Sequence, residues 1–311
     1  MRFRLGVLLL SGACISLGQD SLPGNGLAQH PFLYCGAAKA GAPPEILVYR
    51  EGKVQWSYAL SPRDRLEDCT MLSNGTIVFA RGNGASIVRQ DKKIIWNYNA
   101  PAGAEIRTAF PFDRDRVLVM QSGDPALAMV INTLTGSVEQ QVALDTANPK
   151  NPHGQFGHVR VTSNENYLAA HTDANRVVEY TPDGRVVWSA KAETPWAAVR
   201  LRNGDTLISG GQSGYVREID RSGKTVWELT KTELPGFPLE NVLEVSRLAS
   251  GNTLINNYAP DGDQRNVAQL IEVTPDKKVV WAVRDYQALG PAISTQILDE
   301  PGIPERRELQ R

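Results

Sequence analysis

The stretch Asp220-Arg221-Ser222-Gly223-Lys224-Thr225-Val226-Trp227 is a polar turn closed by glycine, then a short alternating strand ending in tryptophan. It recurs along the chain. Gly52-Lys53-Val54-Gln55-Trp56, Lys92-Lys93-Ile94-Ile95-Trp96, Gly184-Arg185-Val186-Val187-Trp188 and Lys277-Lys278-Val279-Val280-Trp281 are copies. A companion element precedes several of them: Ser73-Asn74-Gly75-Thr76-Ile77, Arg202-Asn203-Gly204-Asp205-Thr206 and Ser250-Gly251-Asn252-Thr253-Leu254 each place a glycine turn before β-branched residues. Trp56 and Trp96 are 40 positions apart, and Trp188 and Trp227 are 39 apart. The interval of 92 between Trp96 and Trp188 leaves room for a copy without tryptophan, Thr135-Gly136-Ser137-Val138-Glu139-Gln140.

A period of about 40 residues holding about four period-two segments is the pattern of a propeller blade. Helical repeats of that length would show apolar spacings of three and four instead. In one unit, the innermost to outermost strands are expected at 69–72, 76–80, 86–89 and 94–98. At the ends, 293–298 reads as an innermost strand with nothing strand-like after it, and 32–35, 45–49 and 54–58 read as the missing three. The expectation is an all-β, six-bladed β-propeller closed by pairing of the N- and C-terminal segments, with seven blades as the alternative. Closure hides strand edges that an open sheet would expose. The propeller is placed at 31–298, after a linker at 19–30 and before a charged tail at 299–311.

Composition agrees with this class. Of 311 residues, 41% are hydrophobic and 22% charged, enough to bury a real core. The 33 Lys+Arg against 34 Asp+Glu lack the cationic excess that nucleic acid or an anionic membrane surface requires. Arg2 and Arg4 followed by the apolar run from Leu5 to Leu10, with small residues Ser16 and Gly18, read as a signal peptide over 1–18. The run is shorter than the roughly 20 apolar residues of a membrane span. The mature chain is therefore expected to be exported, periplasmic or extracellular, without a transmembrane segment and monomeric. A lipid anchor at Cys14 is the lesser alternative. Cys35 and Cys69 are read as two buried free thiols, with an oxidised pair as the alternative.

Two families are similar to this chain at the quoted repeat. One is the quinoprotein-like (PQQ-like) propeller family, whose blades end in a comparable Gly-x-x-x-Trp. The other is the arylsulfotransferase-like family, which Leu248-Ala249-Ser250-Gly251-Asn252-Thr253-Leu254 resembles closely. The resemblance runs from Phe32 to Leu298. It implies a propeller, and two kinds of enzyme built on one.

Ligands of propellers sit in the funnel where the innermost strands begin. Counting back from the turns gives one row with Asp68, Thr108, His158, Ala197 and Glu244, and a second, one position earlier, with Glu67, Arg107, Gly157, Trp196 and Leu243. A register slip of one residue would exchange the rows. Asp68, Arg107, His158, Trp196, Asn241 and Glu244 are the candidate ligand-binding residues. Paired carboxylates could hold Ca2+, and PQQ is the cofactor that the quinoprotein resemblance implies; no metal site is assigned. In an enzyme, His158 would be the acid, base or nucleophile and Arg107 would stabilise an anion. The outer-strand tryptophans are assigned to packing between blades. Connections 145–155, 231–240 and 259–266 are expected on the funnel face, with Asp261-Gly262-Asp263 as a turn. Nucleotide-loop, zincin and nucleophile-elbow motifs are absent. The first expectation is a binding propeller for a small polar ligand, a glycan or a protein. The others are an enzyme of the two kinds named, or a scaffold for envelope proteins.

Overall fold

A computed structural model describes residues 22–259, 264 and 266–311. The expected signal peptide, Cys14 and Asp261-Gly262-Asp263 lie outside the described residues. The described strands form six antiparallel sheets of four strands each. Five blades are continuous in sequence. Their innermost strands are Leu66–Met71, Glu105–Pro111, Phe156–Val161, Ala197–Arg200 and Val242–Arg247, which begin blades 2 to 6. Blade 1 is composite: Ala292–Ile297 is its innermost strand, followed by Phe32–Gly36, Glu45–Arg50 and Lys53–Ala59. Tyr34 is paired with Thr295 and Phe32 with Ile297, so the two ends of the described chain close the ring. Six blades, not seven, complete it.

Each blade twists, and its two faces pack on its neighbours. One apolar cluster joins Phe112 and Met120 of blade 3 to Phe156 and Tyr167 of blade 4. Another joins Leu207 and Val216 of blade 5 to Val245 and Ile255 of blade 6. Burying one such side chain contributes about 1.5–3 kcal/mol, so the core lies between blades and not at the axis. The repeat tryptophans stitch these seams. The Trp56 indole N–H donates to the carbonyl of Gln90 at 2.8 Å, Trp188 to that of Arg221 at 2.9 Å, and Trp227 to that of Pro275 at 2.8 Å. Each acceptor is in the next blade, in the turn before its outermost strand. Trp281 donates instead to Gly26, in a short 3-10 turn ahead of blade 1.

The cysteines correct one expectation. Cys35 and Cys69 are not free thiols: they form a disulfide with Cα atoms 6.4 Å apart. Both are fully buried, and the bond links composite blade 1 to blade 2. Disulfides form and persist chiefly in oxidising compartments. Among the described residues, no helix is long and apolar enough to cross a membrane.

Residues 299–311 fold back across the face opposite the starts of the innermost strands. Gln310 bridges to Arg247, and the Arg311 side chain enters the central channel. There it donates to Thr70 Oγ1 at 2.7 Å, and to the Cys69 carbonyl and Ser294 Oγ at 2.9 Å.

Candidate functional site: a bulged funnel above a buried ionic layer

The innermost strands do not start as regular ladders. Register against the second strand shifts between Leu66 and Asp68, Ile106 and Thr108, Phe156 and Val159, and Val242 and Val245. In blade 1 it shifts opposite Cys35 and Gly36, leaving Ile293 unpaired. A bulge inserts an extra residue and re-aims its side chain. Here it turns Glu67, Arg107, Leu243 and Ile293 to the wall of one funnel of about 470 Å3. Blade 5 has no such bulge. Trp196 stands at the equivalent place, its backbone N–H bonded to the Ser209 carbonyl at 2.9 Å. The two rows counted in the sequence thus form different layers. The Glu67/Arg107/Trp196/Leu243 row lines the funnel, and the Asp68/His158/Glu244 row is buried below it. Asn241 also lines the funnel.

Gly157 completes the upper row by having no side chain. A Cβ there would come within 1.9 Å of the Trp196 carbonyl oxygen. That approach lets the His158 backbone N–H reach the same oxygen and clamps blade 4 to blade 5.

Both arginines at the funnel are paired. Arg107, 2% exposed, pairs with Glu67 at 2.7 Å and donates to the His153 carbonyl. Its guanidinium lies 5.4 Å from the centre of the Trp196 ring. Arg65 bridges Glu67 at 3.2 Å and Glu105 at 2.9 Å, and His153 Nδ1 lies 3.0 Å from Glu105. Burial pushes the Glu105 carboxyl up, but its bonds to His153 and Arg65 outweigh this and hold it low. Arg65 and Arg107 therefore face Glu67 and Glu105, and Asp64, which makes no ion pair among the described residues, adds a third carboxylate to the wall. Three polar atoms of wall residues have no hydrogen-bond partner among the described residues although buried: Arg107 Nε, Trp196 Nε1 and Asn241 Oδ1. The expected loop 145–155 reaches the rim through His153.

Below the floor, Asp68, His158 and Glu244 bring acceptor atoms within 4.8 Å of one another. Arg160 fills the space between them. It donates to Asp68 at 2.8 and 3.1 Å, to His158 Nδ1 at 3.0 Å and to Glu244 at 2.9 Å. The cation that such a group attracts is supplied by the chain, and an imidazole is a poor ligand for Ca2+, which prefers six to eight oxygens. The set does not fit Ca2+. Arg311 adds a second guanidinium on Glu244 at 3.1 Å. Burial pushes Glu244 up, but Arg311 and Arg160 bring it down to about 2. His158 is held below the usual imidazole range by burial. Its Nδ1 accepts from Arg160, so Nε2 carries the proton and donates to the Glu67 carbonyl at 2.9 Å.

Sequence reasoning placed Glu67 in the second row but left it out of the candidate ligand-binding residues, and it missed both buried arginines, Arg160 and Arg311. Arg160 was within reach. It follows His158 by two positions, and residues two apart on a strand share a face. Arg311 carried no such signal.

A model of the Mal s 1 allergenic protein-like family matches residues 46–263, more than half of the chain. The chain belongs to this family of β-propellers. A crystal structure of a protein of unknown function from Bacteroides caccae is similar at 25% identity and a TM-score of 0.76, covering 86% of this chain and 97% of that one. Virginiamycin B lyase from Staphylococcus aureus is 11% identical with a TM-score of 0.55, over 80% of this chain and 87% of that one. A streptogramin B lyase structure is 12% identical with a TM-score of 0.55, over 83% of each chain. At such identities the two lyases share the fold alone. No curated protein matches the chain. The propeller that the quinoprotein-like and arylsulfotransferase-like resemblance implied is the fold observed; the family shown is the Mal s 1-like one.

Proposed function

We propose that this Mal s 1-like propeller is an exported binding module whose funnel holds a small, uncharged polar ligand with a flat face. The ring of a sugar in a glycan is the chemistry that fits best. The observation carrying this reading is the funnel wall itself. An indole, a stacking surface for flat apolar faces, stands beside a charge-balanced pair, and Trp196 Nε1 and Asn241 Oδ1 have no protein partner. A buried polar atom without a partner costs about 1–3 kcal/mol, and a ligand that donates to one and accepts from the other recovers it after a small side-chain adjustment. With both arginines paired and Asp64 adding a carboxylate, the wall supplies no net attraction for an anion. Export is supported by the Cys35–Cys69 disulfide and by the signal-like pattern at the start of the sequence.

Binding is favoured over turnover by way of the quinoprotein-like or arylsulfotransferase-like enzyme. Arg107 faces the funnel, but His158 lies beneath its floor with both ring nitrogens engaged. A thermal-shift screen against oligosaccharides, aryl sulfates, PQQ and Ca2+ tests the proposal, because a ligand of the native state raises the melting temperature. Stabilisation by an oligosaccharide that is lost in Trp196→Ala supports it. Stabilisation by none of the panel, or by PQQ or an aryl sulfate alone, would overturn it.

A further inference from the structure

A second concavity lies at the opposite end of the channel, where the innermost strands finish. It has a volume of about 430 Å3 and is walled by the strand ends at Thr162 and Leu201 and by residues 306–311. Its chemistry differs from that of the funnel. Seven guanidiniums line it: Arg160 and Arg311 at its floor, and Arg200, Arg202, Arg221, Arg306 and Arg307 around its wall. Arg200 and Arg221 share a single carboxylate, Glu179, at 2.7 and 3.2 Å. Arg307 pairs with Glu165 at 3.3 Å. The Arg202 guanidinium donates only to the Glu308 carbonyl oxygen, at 2.8 Å, while its backbone N–H donates to Gln310, and Arg306 makes no ion pair among the described residues. Both are exposed. Even when Glu308 is counted, and Asp205, whose charge also acts on Arg200, the five wall cations meet four carboxylates. Deeper in the channel, Arg160 and Arg311 are balanced by Asp68 and Glu244 and cancel none of this excess.

The crowding has a visible effect on Arg200. Burial lowers its affinity for a proton, Glu179 opposes that, and the neighbouring Arg221 lowers it further. Its guanidinium is held in place over the Trp188 ring, 4.4 Å from the centroid. Planar guanidiniums fixed by their surroundings match the paired oxygens of a tetrahedral oxyanion. A concave site with a net positive charge concentrates field and favours a doubly charged ligand over a singly charged one. The volume exceeds that of a bare ion, leaving room for an attached group.

We propose that this groove, distinct from the funnel and independent of its reading, is a binding site for a tetrahedral dianion: phosphate or sulfate, free or as an ester. The test is calorimetric titration of the full chain with sodium sulfate, inorganic phosphate, phenyl sulfate and phenyl phosphate, at ionic strength held constant with sodium chloride. Saturable one-to-one binding of at least one dianion is expected. It should weaken at least tenfold in the double variant Arg202→Gln/Arg306→Gln and stay unchanged in Trp196→Ala. Both substituted arginines are exposed, so the double variant should melt with the wild type, and this is checked first. Tighter binding of the phenyl compounds assigns the ester, and tighter binding of the inorganic ions assigns the free anion. Heats no larger than those of added chloride, or equal affinity in the double variant, would overturn the proposal. Loss of binding in Trp196→Ala would place the anion in the funnel and also overturn it.

Discussion

Arg160 is the residue on which the channel turns. Its guanidinium separates two carboxylates that would otherwise confront each other at full burial. Arg160→Met should destabilise the fold by about 3–5 kcal/mol, the usual consequence of leaving buried charge uncompensated, seen as a lower urea midpoint. A second residue-scale test concerns His171. Its Nε2 lies 2.9 Å from the Tyr180 hydroxyl, which in turn donates to Asp145 at 2.9 Å, so the imidazole is built in neutral. Burial lowers it from 6.5 to about 4, more than Asp145 can restore. Between those two values the unfolded chain binds a proton that the folded one does not. Stability is therefore complete above pH 6.5 and falls as pH drops towards 4, by up to ~3 kcal/mol for this group. His171→Gln should show a visibly flatter decline over that window in urea titrations. An equal decline would remove His171 from the acid response. The buried row of Asp68, His158 and Glu244 was legible because blades repeat and their turns align. Its meaning was not, because the compensating arginines come from another layer and from the last residues of the sequence.

At the scale of the strand, the bulge decides what the funnel displays. Without it, Glu67 and Arg107 would continue the alternation and face a neighbouring blade. Period-two reading found the strands, and Ile94–Asn99 starts where expected. It could not choose between two rows one residue apart, since a bulge is a fault in that period. The structure uses both rows, one above and one below the floor. Gly157 is where this arrangement is least tolerant. In Gly157→Ala the added methyl meets the Trp196 backbone, and overpacking of this kind costs about 1–3 kcal/mol. The expected result is a lower melting temperature together with loss of any funnel ligand's stabilising effect. Unchanged melting would show that blades 4 and 5 are not clamped there.

For the whole molecule, closure is the controlling event. The ring shuts through Ala292–Ile297 and Phe32–Gly36, and the Cys35–Cys69 bond ties that composite blade to the next across 34 residues of sequence. A crosslink over such a loop stabilises by about 3–4 kcal/mol in the chain-entropy account. The Cys35→Ala/Cys69→Ala variant should unfold at correspondingly lower urea, and reductant should shift the wild type towards it but leave the variant unmoved. The six-blade ring could be read from the spacing of tryptophans and from the incomplete strand sets at either end. The oxidation state could not, since Cys35 and Cys69 meet only after closure sets two blades side by side. Nor could the difference between the two ends of the channel: a near-zero net charge conceals a funnel whose arginines are paired at one mouth and a cationic groove at the other.

The most direct test of the funnel reading is a crystal structure grown with the oligosaccharide that stabilises the protein most. The account predicts electron density for a sugar ring against the Trp196 indole, with hydrogen bonds to Trp196 Nε1 and Asn241 Oδ1. Clear density for that sugar elsewhere on the propeller, with the funnel holding only water, would contradict it.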